Sequence, residues 1–204
     1  MVTYMLILLL LVNPYQFGVY SIADQGRLLL LVFLSTFAMP AFALFLMRSL
    51  NMISSMSLED RHERIGPYII TGVFYMWMFI NFKNNQSIPF ALTVATLGAT
   101  IGLFLAFFFN NFTKISAHAV GMGGLLGLSA INSIYMSFDT FSLNTWFFGA
   151  LEISSNFVVV VVVLLTGLVC TARLFLKAHT QGQVYGGLIA GFIAQFIAFW
   201  YLQV

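Results

Sequence analysis

The chain has 204 residues, of which 61% are hydrophobic and 7% are charged, and its formal net charge is +2. An ordinary soluble domain carries about 25% charged residues, so this composition excludes a water-soluble globular fold. The small net charge gives no support for nucleic acid binding. The apolar runs are continuous rather than alternating, which favours membrane-spanning helices over a β-barrel. We therefore expect an all-α, polytopic membrane helix bundle.

The apolar segments set the number of spans, since a spanning helix needs about 20 apolar residues. Candidate spans cover residues 3–20, 28–48, 67–82, 88–110, 119–137, 147–170 and 184–203. The first is weak because Asn13-Pro14 interrupts it, so the bundle is expected to have six or seven spans. It lacks the basic start and the small-residue cleavage site of a signal peptide, and we expect it to stay in the mature protein. Pro40 predicts a kink in the second span unless a neighbour bonds the freed carbonyl.

No linker or extramembrane domain is visible, so residues 1–204 are predicted to form one integral membrane domain. With seven spans, the loops 49–66, 111–118 and 171–183 and the N-terminus lie on one face, which we call side A. The loops 21–27, 83–87 and 138–146 lie on the opposite face, side B. Glu152 is expected near the side-B interface rather than in the middle of a span.

Most of the basic side chains lie on side A. This face carries Arg48, Arg61, Arg64, Lys114, Arg173 and Lys177, together with His62, His118 and His179, whereas side B holds Arg27 and Lys83. The positive-inside rule would make side A cytoplasmic. That rule concerns Lys and Arg in loops and does not account for a histidine beside each basic cluster. If the cations next to the histidines bind an anion, the remaining cations are evenly divided and the orientation stays open.

Three loops that each pair a cation with a histidine predict an anion site on side A. Arginine suits phosphate because its planar guanidinium donates two parallel hydrogen bonds. A pair of histidines supplies what phosphoryl transfer needs, namely one group to attack and one to donate a proton. Such a site would hold a charged headgroup at the membrane surface while the lipid tail stays in the bilayer.

The same loops resemble the motifs of the type 2 phosphatidic acid phosphatase superfamily. The segment KISAHAVG, with Ser116 and His118, is similar to the second motif, P-S-G-H. The segment ARLFLKAHTQGQ is similar to the third motif, S-R-x5-H-x3-D, and keeps its spacing between Arg173 and His179. The first motif, K-x6-R-P, is the poorest match: Pro67 is present, but Glu59 stands in place of the lysine. The three motifs occur in family order over residues 25–204 and look like a divergent bacterial branch.

The resemblance implies a role for each matching residue. His179 would be the nucleophile and form a phosphohistidine, and His118 would be the general acid. The phosphate would be bound by Arg173, Arg64, Arg61, Lys114 and Ser116. Ser116 is also a plausible N-cap for a helix that starts near residue 117. The family further implies a lipid phosphate substrate, either a polyprenyl phosphate or a phosphatidic-acid-like lipid, in a bacterial inner membrane. No metal or other cofactor is expected.

One departure from the family pattern leaves the activity open. Gln183 stands where the family has an aspartate that orients the nucleophilic histidine, and a glutamine can accept the same hydrogen bond but carries no charge. In a comparable His–Asp pair, replacement of the aspartate by asparagine costs about 10⁴ in turnover. The protein could be a slow phosphatase, one repaired by Asp60 or Glu63, or a silent relative that binds phospholipid or a membrane partner.

A seven-span pigment, channel or transporter is a further alternative. Its characteristic ionisable residues deep within spans are not evident in this sequence. Two pairs of glycines at i, i+4 spacing, Gly123 with Gly127 and Gly187 with Gly191, follow the histidine loops. Small residues at this spacing let helices approach closely. We therefore expect the fifth and seventh segments to pack tightly and to bring His118 and His179 together, with a dimer interface as the alternative.

Overall fold

The computed structural model describes residues 1–17, 21–56, 58, 60–145 and 149–203. The chain forms eight α-helices and one β-hairpin within these residues. The α-helices are α1 (Val2–Val12), α2 (Ile22–Phe33), α3 (Met39–Ser49), α4 (Ile65–Lys83), α5 (Phe90–Asn110), α6 (Ala117–Ile131), α7 (Ser155–Phe175) and α8 (Gln181–Gln203). Short 3-10 turns cover Pro14–Phe17 and His62–Arg64, and π-helical segments cover Leu34–Ala38 and Asn132–Met136.

Six helical stretches are long and apolar enough to cross a membrane, and the predicted helix bundle is confirmed at this level. They are Ala23–Ser49, His62–Lys83, Phe90–Asn110, Ala117–Met136, Ser155–Phe175 and Gln181–Gln203. Successive stretches run in opposite directions, so the connections between α3 and α4, α5 and α6, and α7 and α8 share one end of the bundle. This end corresponds to side A.

The first segment is not among the six long apolar helices, so the lower of the two predicted numbers of spans holds. Helix α1 has 11 residues, about 16 Å, whereas the hydrocarbon core is about 30 Å thick. It begins beside Gly121 of α6, against which Met1 packs. It ends at Asn13, whose side chain donates to Asn132 at the side-B end of α6. The N-terminal residue therefore lies against the bundle rather than in a side-A loop, and Asn13-Pro14 ends the helix as the sequence indicates.

The second span stays helical through Pro40. A proline removes the hydrogen bond to the carbonyl four residues earlier, which here belongs to Thr36. The Tyr75 hydroxyl of α4 donates to this carbonyl at 3.3 Å. The π-helical segment Leu34–Ala38 also lies just before the proline and connects α2 to α3. A neighbouring helix thus provides the missing donor, and the chain remains helical from Ile22 to Ser49.

The predicted span over 147–170 is wrong at both ends. Residues Thr140–Thr145 and Gly149–Ser154 form an antiparallel hairpin of two strands, β1 and β2, in which Ser142 lies opposite Glu152. Helix α7 begins only at Ser155, where the Ser154 side chain accepts from the Asn156 backbone N–H. Polar residues alternate with apolar ones before this cap, which suits a strand. Glu152 therefore lies on a side-B hairpin, and α7 continues to Phe175.

The centre of the bundle is built by α6 packed on α8, with α5 against both. All four paired glycines lie in this contact. A Cβ added at Gly123 would collide with the Leu188 carbonyl, and one at Gly191 would collide with the Val120 carbonyl. A Cβ at Gly187 would lie 2.8 Å from the Ser116 carbonyl. The predicted close packing is confirmed, and it fixes the start of α6 beside the start of α8.

Candidate functional site

The three side-A connections meet around one open cavity of about 810 Å³. Its cations and imidazoles come from Arg64, Lys114, His118, Arg173, Lys177 and His179, and the side chains of Tyr68 and Thr71 add two hydroxyl groups. Apolar residues, including Pro67, Leu103 and Leu176, form other parts of the wall. The described lining contains no carboxylate. The cavity therefore presents positive charge at the end of the bundle and apolar surface beside it.

Arg64 is held by backbone carbonyls of two different connections. Its Nε donates to the Leu58 carbonyl at 2.9 Å, and its Nη1 donates to the Ile115 carbonyl at 3.2 Å. These contacts use two of the five N–H groups of the guanidinium. They orient the charge in the cavity wall and tie the first connection to the second.

The sequence placed Arg173 in the loop 171–183, whereas the structure places it in the last turn of α7. It lines the cavity together with His118 and His179. The ion pair found among the described residues joins Arg27 to Asp24 on side B. Within the described part of the chain, the cations of the cavity therefore have no carboxylate partner.

The tautomer of His179 follows from its hydrogen bonds. Its Nδ1 lies 3.2 Å from Gln183 Oε1 and 3.3 Å from the Lys114 carbonyl oxygen. The backbone carbonyl can only accept, and Gln183 Oε1 also accepts from the Thr180 backbone N–H at 3.1 Å. Nδ1 must therefore carry the proton, which leaves Nε2 with a free lone pair. Gln183 takes the orienting position that the sequence assigned to it.

The electrostatic surroundings also favour the neutral form of this imidazole. Burial is the largest cause and lowers the pKa of His179 from its ordinary value of about 6.5. The hydrogen bond to Gln183 raises this pKa, while the Arg64 charge lowers it. The net direction is downward, so the neutral form of the His179 imidazole is favoured at neutral pH.

His118 lies in the first turn of α6 on the cavity wall. The helix starts there because the Ser116 side chain accepts from the Ala119 backbone N–H, which confirms the predicted N-cap. Ser116 is fully buried, and its own backbone N–H donates to the Gln183 carbonyl at 3.3 Å. The structure thus gives Ser116 no direct access to the cavity. It holds His118 in position and joins α6 to α8.

Arg61 does not line the cavity. Its Nη1 donates to the Phe112 carbonyl at 2.9 Å, and its carbonyl accepts from the Asn110 side chain at 2.7 Å. Arg61 therefore links the first connection to the end of α5. His62 is exposed and also lies outside the cavity lining. Of the three side-A histidines, the structure brings together His118 and His179.

The candidate carboxylates that could replace the family aspartate lie elsewhere. Glu63 accepts from the Ser54 backbone N–H at 2.9 Å and from its hydroxyl at 3.0 Å. Asp60 accepts from the His62 backbone N–H at 2.9 Å. Neither residue is part of the cavity lining, and Glu59 lies outside the described residues. No group of three His, Cys, Asp or Glu side chains suited to a metal ion occurs among the described residues.

Lys177 and Tyr68 line the cavity although neither was among the predicted site residues. Lys177 contributes a further cation from the turn after α7. The sequence did show it between Arg173 and His179, but contact with lipid headgroups explained it equally well. Tyr68 lies one turn beyond Arg64 on α4 and also lines the cavity, and its buried hydroxyl has no hydrogen-bond partner among the described residues. The sequence did not indicate that Tyr68 lines a cavity, because aromatic residues are common throughout this chain.

Comparison of the chain with protein-family models, with curated proteins and with solved structures yields no match. The lining residues alone therefore indicate which kind of ligand the cavity suits. Four cations and two imidazoles suit a ligand with an anionic group that can accept several charge-assisted hydrogen bonds. The apolar part of the wall suits a ligand that also carries a hydrocarbon portion.

Proposed function

We propose that the protein is an integral membrane lipid phosphatase that hydrolyses a lipid phosphate or diphosphate through a phosphohistidine on His179. The observation that carries this proposal is the joint placement of four cations and two histidines around a cavity whose described lining has no carboxylate. A lysine or arginine cluster alone would support anion binding. The second histidine and the free Nε2 of His179 add the groups that a hydrolytic step requires.

The chemistry divides into two steps with a defined fate for each proton. In the first, His179 Nε2 attacks the phosphorus, the bond from phosphorus to the lipid oxygen breaks, and His118 protonates the leaving oxygen. In the second, the oxygen of a water molecule attacks the phosphorus, the bond from phosphorus to His179 Nε2 breaks, and His118 takes a proton from that water as inorganic phosphate leaves. Arg64, Arg173 and Lys114 bind the phosphoryl oxygens and stabilise the negative charge of both transition states.

The position of the cavity supports a lipid as the substrate. It lies at the end of helices that are long and apolar enough to span a membrane, and it extends along α4 from Arg64 to Thr71. Seven residues of helix correspond to about 10 Å. A phosphate at the charged end would therefore leave the first part of its tail beside Pro67 and Leu103. Polyprenyl phosphates and phosphatidic-acid-like lipids both have this form, and the resemblance to a bacterial branch favours an inner-membrane location.

Phosphate release from purified protein tests the proposal. The wild type would be offered a panel of polyprenyl phosphates, polyprenyl diphosphates and phosphatidic acid in detergent micelles. We expect release from at least one lipid class and its loss in both His179→Ala and His118→Ala. His62→Ala is the matched control, because His62 lies on the same side but outside the cavity lining, and it should keep wild-type activity. Release that persists in His179→Ala would contradict the proposed nucleophile.

A catalytically silent phospholipid-binding protein is the second candidate, and Gln183 is the observation that favours it. The side chain that accepts from His179 Nδ1 is neutral, so it stabilises a positive imidazolium less than a carboxylate would. On this alternative, the folded wild type binds phosphatidic acid but releases no phosphate. Gln183→Asp separates the two candidates, because activity that appears only in the variant would favour the silent form.

A further inference from the structure

The turn that follows α7 has an unusual residue at its critical position. The backbone N–H of Lys177 donates to the Leu174 carbonyl at 3.0 Å, and that of Ala178 donates to the Arg173 carbonyl at 3.2 Å. These two bonds form the Schellman arrangement, which requires a left-handed residue just after the helix. Lys177 is that residue, with φ of 51°.

Glycine is the usual residue at this position, because a Cβ makes the left-handed backbone unfavourable. Among the described residues, the non-glycine positions with positive φ are Asn51, Leu58 and Lys177. Two of them, Leu58 and Lys177, line the side-A cavity, and the Leu58 carbonyl also holds Arg64. Unfavourable backbone conformations that collect around one cavity point to a functional demand on those residues.

We propose that Lys177 is an anion-binding residue of the cavity, whose ammonium group binds the phosphate of the ligand. This inference rests on the proposed function and adds a residue to its site. Lys177 is placed two residues before His179, in the short connection that leads from Arg173 to the nucleophile. Phosphate binding by the lysine side chain explains why a residue other than glycine occupies this left-handed position.

A lysine that only contacts lipid headgroups would not need this position. Thr180 is exposed on the same connection, as Lys177 is, and lies outside the cavity lining, so it could carry a headgroup-binding lysine without a left-handed backbone. Glycine at residue 177 would then satisfy the turn without strain. The stability of the fold therefore favours glycine at residue 177, whereas phosphate binding favours lysine. A substitution at this residue can separate the two effects.

The test compares Lys177→Gly with Asn51→Gly. Asn51 occupies the same position after α3, where its N–H donates to the Arg48 carbonyl and the Met52 N–H donates to the Met47 carbonyl. Asn51 is exposed and does not line the cavity, so it is a matched control for the backbone effect. The two measurements are the thermal unfolding midpoint in phosphate-free buffer and the affinity for inorganic phosphate by titration calorimetry, both in detergent micelles.

We expect Lys177→Gly to raise the unfolding midpoint and to weaken phosphate binding about tenfold, since one charge-assisted contact is lost. Asn51→Gly should raise the midpoint less, because asparagine tolerates this backbone better, and should leave phosphate affinity unchanged. Lys177→Arg keeps both the charge and the strain and should bind phosphate within about threefold of the wild type.

Three outcomes of these measurements would contradict the proposal, and they differ in how much of it they overturn. Unchanged phosphate affinity in Lys177→Gly, with binding by the wild type, would overturn the role of Lys177 and leave the rest of the anion site intact. Equal loss in Asn51→Gly would also overturn it, because the effect would then come from the backbone. A wild type that is folded but binds no inorganic phosphate would overturn the anion site and this assignment together.

Discussion

The cations at the two ends of the bundle differ in the partners that they contact. On side B, Arg27 pairs with Asp24 at 3.0 Å, and the Lys83 ammonium lies 5.4 Å from the centre of the Tyr201 ring. On side A, the cations that line the cavity have no carboxylate partner in the described part of the chain. Like charges in one cavity repel each other, so their grouping is unfavourable until an anion binds. Among the described residues, the two ends therefore differ in that the side-A cavity groups cations without a carboxylate, whereas Arg27 on side B has one.

The largest expected effect comes from removing a cation of the side-A cavity, with removal of a side-B cation as the control. Arg173→Ala should reduce phosphate affinity about a thousandfold, since a bidentate guanidinium contributes two charge-assisted hydrogen bonds of about 2 kcal/mol each. Arg27→Ala on side B should leave the affinity unchanged. Titration of both variants with inorganic phosphate measures the difference. Equal losses at the two ends would mean that general surface charge, and not a built site, attracts the anion.

The next effect concerns the packing that brings the two histidines together. Gly191→Ala would force a Cβ against the Val120 carbonyl, so we expect it to lower the free energy of unfolding by about 1–3 kcal/mol. Gly186→Ala lies on the same helix with no atom within 4 Å of the added Cβ, and it should be neutral or slightly stabilising. Chemical denaturation in micelles compares the two. Similar stability in both variants would contradict the close α6–α8 contact.

A smaller gain is expected from placing a negative charge beside His179, the proposed nucleophile. Gln183→Asp should increase the rate of phosphate release at least tenfold, because a carboxylate stabilises the imidazolium that develops on His179. Gln183→Ala should decrease it, since Nδ1 then keeps only the Lys114 carbonyl as an acceptor. Single-turnover kinetics of the two variants give the sign of each change. A rate that falls in Gln183→Asp would show that the neutral amide is the better partner here.

The smallest expected effect is a displacement of the pH profile. In the proposed mechanism His179 attacks in its neutral form, and burial lowers its pKa, so the acid limb of the rate profile should lie below pH 6.5. A carboxylate at residue 183 raises the pKa, so the profile of Gln183→Asp should move to higher pH. Rates measured between pH 4 and 8 test both statements. An acid limb that lies above pH 6.5 in the wild type would contradict the direction.

The sequence predicts the helix bundle well because length and hydropathy determine it almost alone. It also predicts the close approach of α6 and α8, since Gly123 and Gly191 leave the backbone accessible. It fails where tertiary contacts decide the outcome. The chain stays helical through Pro40 because Tyr75 bonds the freed carbonyl, and residues 147–154 extend a hairpin instead of starting a helix. The apolar start of the chain is too short to span once Asn13 ends α1.

The candidate site is predictable in its charges and less so in its details. The parity of the spans places Arg64, Arg173, His118 and His179 on one side, and the structure gathers them around one cavity. Side-chain direction is what the sequence could not provide. Arg61 has the same charge as its neighbours but points to the Phe112 carbonyl, and the Ser116 hydroxyl is used within α6. The left-handed turn that carries Lys177 is a property of the folded backbone.

Direct detection of the phosphoenzyme tests the central claim. The protein would be mixed with the lipid from which it releases phosphate, quenched rapidly in alkali and analysed by peptide mass spectrometry, because phosphohistidine survives base and is lost in acid. The account predicts phosphate on the peptide that contains His179, and none in His179→Ala. Phosphate release without a labelled His179, or with the label on another residue, would contradict it.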